Sequence, residues 1–450
     1  MASVEKQKDY IEGELTRLIL STNDEFSGYT LVESKATTSP QLDGFMAIIF
    51  KLAITVQCEK TLEKKTFYMI VKLMKGSNDF RKRTMSYTQF GNEVYIYGKV
   101  IPAFRKFLEG KKTSIEWDKW VPKVYHSYYG VVPALSEIPE TVLVLENITP
   151  LGFRNPTSRL ELDIDHLFLM LKLIAQYHAV NYAMRILDEK QLNSLAEGIV
   201  PLVFEGKGED GENLFDIMHK IGLARLFEFL DRRPDIYKGI MKEELEVLRE
   251  NYLNCPTKML DRLREEDYPY SIILHGDYNR NNVLFRYDDA TKRPVDVRMI
   301  DFQEVRYATP AIDLSFFLFM NTSASVRDSY WEELFQEYHS TLFLSLMEIL
   351  GCDETDKRLK PFMFYPFHKH FARHAIYGVF ITAHFLPWMD CSEEECEHLT
   401  YHFETDMKSQ EFWDLSMMAG GDKTNEKITS VVKHASDNGY LRFLLEEKTK

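Results

Sequence analysis

Cysteine is scarce in this chain: Cys58, Cys255, Cys352, Cys391 and Cys396 are the five among 450 residues. An odd and sparse set does not make a disulfide framework, and reduced thiols are expected. No stretch of about 18 apolar residues occurs, so no membrane span is expected. The first residues, MASVEKQKDYIEGEL, carry charges where a secretory signal would place an apolar run, which points to a cytoplasmic location. Positive charge is also short, with 55 Lys and Arg against 69 Asp and Glu for a net −14. No basic run tracks a helix face, so nucleic acid and anionic membranes are disfavoured as partners and a small molecule or a cation is favoured. Internal repeats, low-complexity tracts and long linkers are lacking too.

What is present is ordinary globular material, 45% hydrophobic and 28% charged, enough for one large domain or two lobes around a cleft. Between Gly44 and Val56 the residues Phe50, Leu52, Ile54 and Val56 alternate with Lys51, Ala53 and Thr55, the period of a half-buried strand. After a charged turn, TFYMIVKLM places Phe67, Met69, Val71 and Leu73 on one face, which puts Lys72 on the other with Tyr68, Ile70 and Met74. Phe90, Val94, Tyr97 and Ile101 recur at helical spacing, predicting an amphipathic helix that stops at Pro102 and carries Glu93 at the edge of its apolar stripe. The run TVLVLENI reads as a buried strand turning polar at Glu146, and the loop-like LGFRNPTSR after it suggests a hinge between lobes. Helical periodicity then runs from Asp165 to Leu187 with His178 on the apolar stripe, where a packed histidine is expected rather than a catalytic one.

The segment Ile273–Gln303, ILHGDYNRNNVLFRYDDATKRPVDVRMIDFQ, carries the chemistry. Asp277 is followed five residues later by Asn282, and Asp301 comes directly after an apolar strand that closes a hairpin around Asp288 to Pro294. Phosphoryl transfer needs an acceptor for the proton of the attacking hydroxyl, and hard oxygen ligands for Mg²⁺ on the phosphates. Asp277 fits the first task; Asn282 and Asp301 fit the second. Two other patterns carry little. Asn147 and Asn321 begin glycosylation tripeptides in a chain with no secretory signature. Cys391, Cys396, His398 and His402 lack the paired spacing of structural zinc sites, and a charged helix surface is the expected reading.

With VKL at Lys72, NEVYIYGKVIP at Glu93, LVLENI, LKLIAQYHA, LHGDxxxNNVLF, MIDFQ and TPAIDLSFFL, the chain resembles the insect ecdysteroid-kinase-like family, related to choline and ethanolamine kinases and aminoglycoside phosphotransferases. The resemblance runs from about residue 30 to 410. It implies that Lys72, paired with Glu93, holds the α and β phosphates of ATP beneath Gly44, and that Asp313 braces the catalytic loop. Two features depart from the family pattern. Tyr278, Asn279 and Arg280 stand where many members have Leu-Trp, which predicts an altered substrate-side wall with Arg280 either solvated or reaching a phosphate. The nucleotide-covering segment SPQLDGF offers Gly44 alone, and backbone amides cradle phosphates only where side chains allow close approach.

The expected fold is therefore α+β and bilobal, protein-kinase-like. Residues 1–145 form an antiparallel-sheet lobe that binds nucleotide, and residues 146–450 form a large helical lobe with the catalytic loop and acceptor-binding helices. The expected activity is ATP- and Mg²⁺-dependent transfer of a γ-phosphoryl group to a small hydroxylated acceptor, lipophilic and ecdysteroid-like or xenobiotic. Asp277, Asn282 and Asp301 would be catalytic, Asn282 and Asp301 would hold metal, and Lys72, Glu93, Gly44 and Glu146 would contact the nucleotide. The rival reading is an inactive relative that binds a hydrophobic ligand or a protein partner.

Overall fold

The protein is described here by a computed structural model covering residues 3–38, 47–202 and 214–447. Gly44 lies outside the described residues. Near the amino terminus the strands β1 (Tyr29–Thr38), β2 (Ala47–Cys58), β3 (Lys64–Met74), β4 (Val124–Val131) and β5 (Pro139–Glu146) form a five-stranded antiparallel sheet in the order β1-β2-β3-β5-β4.

The alternation read from sequence sorts the two sheet faces. Phe50, Leu52, Ile54, Val56, Phe67, Met69, Val71 and Leu73 are all buried, packed with Ile11, Leu15 and Ile19 of the amino-terminal helical segment. Each such side chain contributes about 1.5–3 kcal/mol when fully removed from water. The opposite face, with Ile49, Ile70 and Met74, packs on Phe90 and Tyr87 of the helix Ser86–Tyr95. Lys72 shares that second face, so the pleat itself aims it at the helix carrying Glu93.

Pro102 does not stop that helix. A π-helical turn, Ile96–Val100, follows Tyr95, and a new α-helical segment, Ile101–Leu108, begins with Pro102 in its first turn. The Ile101 amide bonds back to Ile96 O, one residue further than in an α-helix. Pro102 thus sits where a missing N–H leaves nothing unpaired, which the sequence pattern could not distinguish from termination. Beyond the turn, Tyr97, Val100, Ile101 and Phe104 join the core of the helical region rather than that of the sheet.

β5 ends at Glu146, where the Glu146 amide donates to Lys123 O at 2.8 Å and the Asn147 amide to Tyr68 O at 2.9 Å. The chain leaves the sheet there. The helix Ile164–Glu197 is capped by Asp163, whose carboxylate accepts from the amides of Asp165 and His166, and it is interrupted at Asp188, where φ is −152° and ψ 65°. Short strands β6 (Phe153–Arg154), β7 (Ile272–Ile273), β8 (Val283–Tyr287), β9 (Pro294–Met299) and β10 (Tyr307–Ala308) pair as β6-β8-β9 and β10-β7 and hold the segment between them. Around them pack the wholly buried helix Ala311–Asn321 and the helices Ala324–Leu350, Phe364–His374 and Ile376–Asp390. The expected α+β, bilobal kinase-like architecture is what the chain adopts.

The glycosylation tripeptides have structural uses. Asn321 is buried and donates to Leu160 O, and the Asn147 side-chain oxygen accepts from the Thr149 amide. No helix among the described residues is long and apolar enough to cross a membrane.

Candidate active site

Three side chains from distant parts of the chain meet at Lys72. Its Nζ lies 2.8 Å from Glu93 Oε2 and 2.7 Å from Asp301 Oδ1, and it stands 4.9 Å from the centre of the Phe90 ring. Burial works against the ammonium, but Asp301 and Glu93 outweigh it and hold Lys72 above its ordinary pKa. Burial pushes the Glu93 carboxyl up against the opposing pull of Lys72.

The segment from His275 to Asn282 is fixed from behind by Asp313, which is fully buried. Its two carboxylate oxygens accept from the His275 amide at 2.9 Å and the Gly276 amide at 2.8 Å, and Oδ2 also lies 3.2 Å from His178 Nε2. These bonds outweigh the burial that would raise it and keep the Asp313 carboxyl below its usual value. His178 is a buried packing residue, as its place on the stripe suggested, with Tyr338 on its other nitrogen at 2.8 Å. Gly276 has φ of +86°, and a Cβ there would lie 1.8 Å from Glu304 O, so both conformation and space require glycine.

On this support the Asp277 carboxylate is clamped from both sides. Oδ2 accepts from Asn282 Nδ2 at 2.7 Å, and Oδ1 from Asn279 Nδ2 at 2.8 Å. Asn282 thereby turns its amide oxygen away from Asp277, the orientation an oxygen ligand for a divalent cation requires. The Asn282 carbonyl accepts from the Ile300 amide at 2.9 Å and Ile300 O meets His275 Nε2 at 3.0 Å, so the residue before Asp301 is tied to the same loop. Asp301 has φ of +67°, a left-handed conformation that aspartate tolerates better than most residues. Burial, then the negative charges of Glu304 and Asp301, drive the Asp277 carboxyl well above the usual carboxylate range, against the hydrogen bonds from Asn282 and Asn279.

The sequence-predicted residues Lys72, Glu93, Asp277, Asn282 and Asp301 are thus brought into one linked cluster. Glu146 stands at the end of β5 with its amide bonded to Lys123 O, so that amide is not free to donate to a ligand. The altered wall expected from Tyr278 to Arg280 is not what forms. Tyr278 is fully buried with its hydroxyl on Met170 O at 2.7 Å, and Asn279 is the Asp277 clamp. Arg280 is not solvated: it is 9% exposed, its Nε is buried without a partner, and burial lowers its pKa.

Sequence reasoning also missed Gln89 and Glu304. Gln89 Nε2 donates to Glu304 Oε1 at 2.5 Å, a second tie between the Glu93 helix and the Asp301 segment. Gln89 lies one turn before Glu93, and that spacing was the available signal. Cys391, Cys396, His398 and His402 do not form a metal-holding group among the described residues.

A strand lysine paired to a helix glutamate, facing an Asp-x4-Asn loop and a post-hairpin Asp, defines a kinase-like phosphotransferase architecture. The model of the ecdysteroid kinase-like family matches residues 41–351, more than half of the sequence. The chain belongs to that family. No curated protein matches it.

Proposed function

We propose that this protein is an ATP-dependent small-molecule kinase that transfers the γ-phosphoryl group to a hydroxyl of a small, lipophilic acceptor, ecdysteroid-like or xenobiotic. The observation that carries this reading is the Lys72 ammonium held between Glu93 and Asp301 beside an Asp277 clamped by Asn282. The donor set also suits Mg²⁺, since a carboxylate and an outward amide oxygen are hard ligands. Mg²⁺ bound by Asp301 and Asn282 would neutralise charge on the phosphates. Lys72 would leave Asp301 and take the α and β phosphates, with Glu93 keeping it aimed.

Asp277 would accept the proton of the acceptor hydroxyl as its oxygen bonds to the γ-phosphorus. The bond from that phosphorus to the β–γ bridging oxygen breaks, and ADP leaves. Asn279 and Asn282 fix the two carboxylate oxygens, so the base is positioned before the acceptor arrives. We assign residues 1–145 to a nucleotide-binding lobe hinged near Glu146 and 146–450 to the lobe of the catalytic loop and acceptor, with Gly44 in the segment covering the phosphates and cytoplasm as the place of action.

The test is incubation with labelled ATP, Mg²⁺ and a panel of hydroxylated steroids, xenobiotics and choline. Label on a steroid or xenobiotic hydroxyl supports the reading. Label on choline alone would move the acceptor class to quaternary amines, and binding of a panel member without label transfer would favour the inactive, ligand-binding relative.

A further inference from the structure

Away from this cleft, the helix Phe364–His374 carries His370 and His374 four residues apart, on one helix face. Asp267, in the loop before β7, stands opposite. Its Oδ2 is 3.4 Å from His370 Nδ1 and 3.9 Å from His374 Nε2, and one ligand atom from each of the three residues lies within 4.8 Å of the others. Ligands about 2.0–2.1 Å from a tetrahedral zinc ion lie about 3.3 Å apart. The His370–Asp267 separation of 3.4 Å is already close to that spacing, and the His374–Asp267 separation of 3.9 Å exceeds it by about 0.6 Å.

The remaining ring nitrogens are already engaged. His374 Nδ1 lies 3.0 Å from His370 O, and because a carbonyl only accepts, Nδ1 carries the proton and Nε2 of the neutral ring presents a lone pair towards Asp267. His370 Nε2 meets Thr309 Oγ1 at 2.6 Å, and Tyr270 stacks on the ring with centroids 3.8 Å apart. Metal-bound histidines are oriented by such contacts on the far nitrogen. Arg373 and Arg262 add positive charge near His374, so a bound metal ion needs direct bonds to nitrogen and not charge attraction alone.

We propose that Asp267, His370 and His374 form a binding site for one zinc-type divalent transition-metal ion, distinct from the phosphoryl-transfer cleft. Imidazole nitrogens select zinc, copper or nickel over Mg²⁺ and Ca²⁺. With metal on Nδ1, His370 Nε2–H donates to Thr309, whose Oγ1 also accepts from the Ala311 amide at 3.2 Å. Ala311 begins the helix that presents Asp313 to the catalytic loop. The metal would therefore clamp the helix Phe364–His374 to the base of that loop, whatever the acceptor of the kinase reaction.

The metal-stripped 450-residue chain is titrated with Co²⁺ and followed by absorption. The expected result is one equivalent with visible d–d bands and no near-ultraviolet thiolate charge-transfer band, displaced by Zn²⁺ but not by millimolar Mg²⁺. Asp267→Ala and His374→Ala should each weaken binding tenfold or more, and Thr309→Val by about 10- to 100-fold. Circular dichroism checks that each variant is folded, and Asp267→Ala, at a side chain 45% exposed, is the variant least able to disturb packing. Wild-type affinity in folded Asp267→Ala, a thiolate band, or no bound Co²⁺ would each overturn the site.

Discussion

The Lys72 ammonium meets the Asp301 carboxylate at 2.7 Å across 229 positions of sequence, joining the sheet to the segment after β9. The same ammonium holds Glu93 at 2.8 Å, so one cation organises both sides of the candidate nucleotide site. Four predictions follow from these contacts and from those around Asp277 and Asp313.

Mg-ATP should stabilise the fold. A ligand at about 100 times its dissociation constant adds about 2.7 kcal/mol. Asp301→Ala should remove the Mg²⁺-dependent part of the thermal shift, because it removes the carboxylate proposed to hold the metal. Melts that do not move at millimolar Mg-ATP would count against the nucleotide site.

Asp277→Asn and Asp301→Asn should behave differently although the side chains are alike. Loss of a positioned base lowers turnover by about 10² to 10⁴ while leaving nucleotide affinity nearly intact. Loss of the Asp301 charge should weaken Mg-ATP binding as well. Parallel titrations and rates on an acceptor found by the panel decide this, and wild-type turnover in Asp277→Asn would remove that residue from the mechanism.

The pH profile should report Asp277. Burial and the charges of Glu304 and Asp301 raise its pKa, and the base acts when ionised. The acidic limb of kcat/KM should therefore lie above the ordinary carboxylate value of about 3.9. Glu304→Gln removes a negative charge that opposes ionisation, so the limb should move to lower pH. A limb that stays in place would show that Glu304 does not act on the base.

Asp313→Ala should destabilise the fold. It leaves the buried amides of His275 and Gly276 without acceptors. Each unpaired group costs about 1–3 kcal/mol, readable as a lower urea midpoint at unchanged slope. A midpoint within error of wild type would mean that the loop is held by other bonds.

The sequence alone carried the strand periods, the order of the chemistry-bearing residues and the side of β3 on which Lys72 lies, because period and pleat are local properties of the chain. It also marked the break near Glu146 and the hairpin between Asn282 and Asp301, where turn residues interrupt apolar runs. Tertiary structure alone decided that Pro102 opens a helical segment instead of ending one, since that depends on the π turn before it. It alone turned Tyr278 into the core and Asn279 onto Asp277, because three adjacent polar residues in a loop have no period from which to read direction. The pairing of Gln89 with Glu304, and of Asp267 with His370 and His374, joins residues more than 100 positions apart. Such contacts are set by how sheet and helices pack around a shared core, which no local pattern encodes.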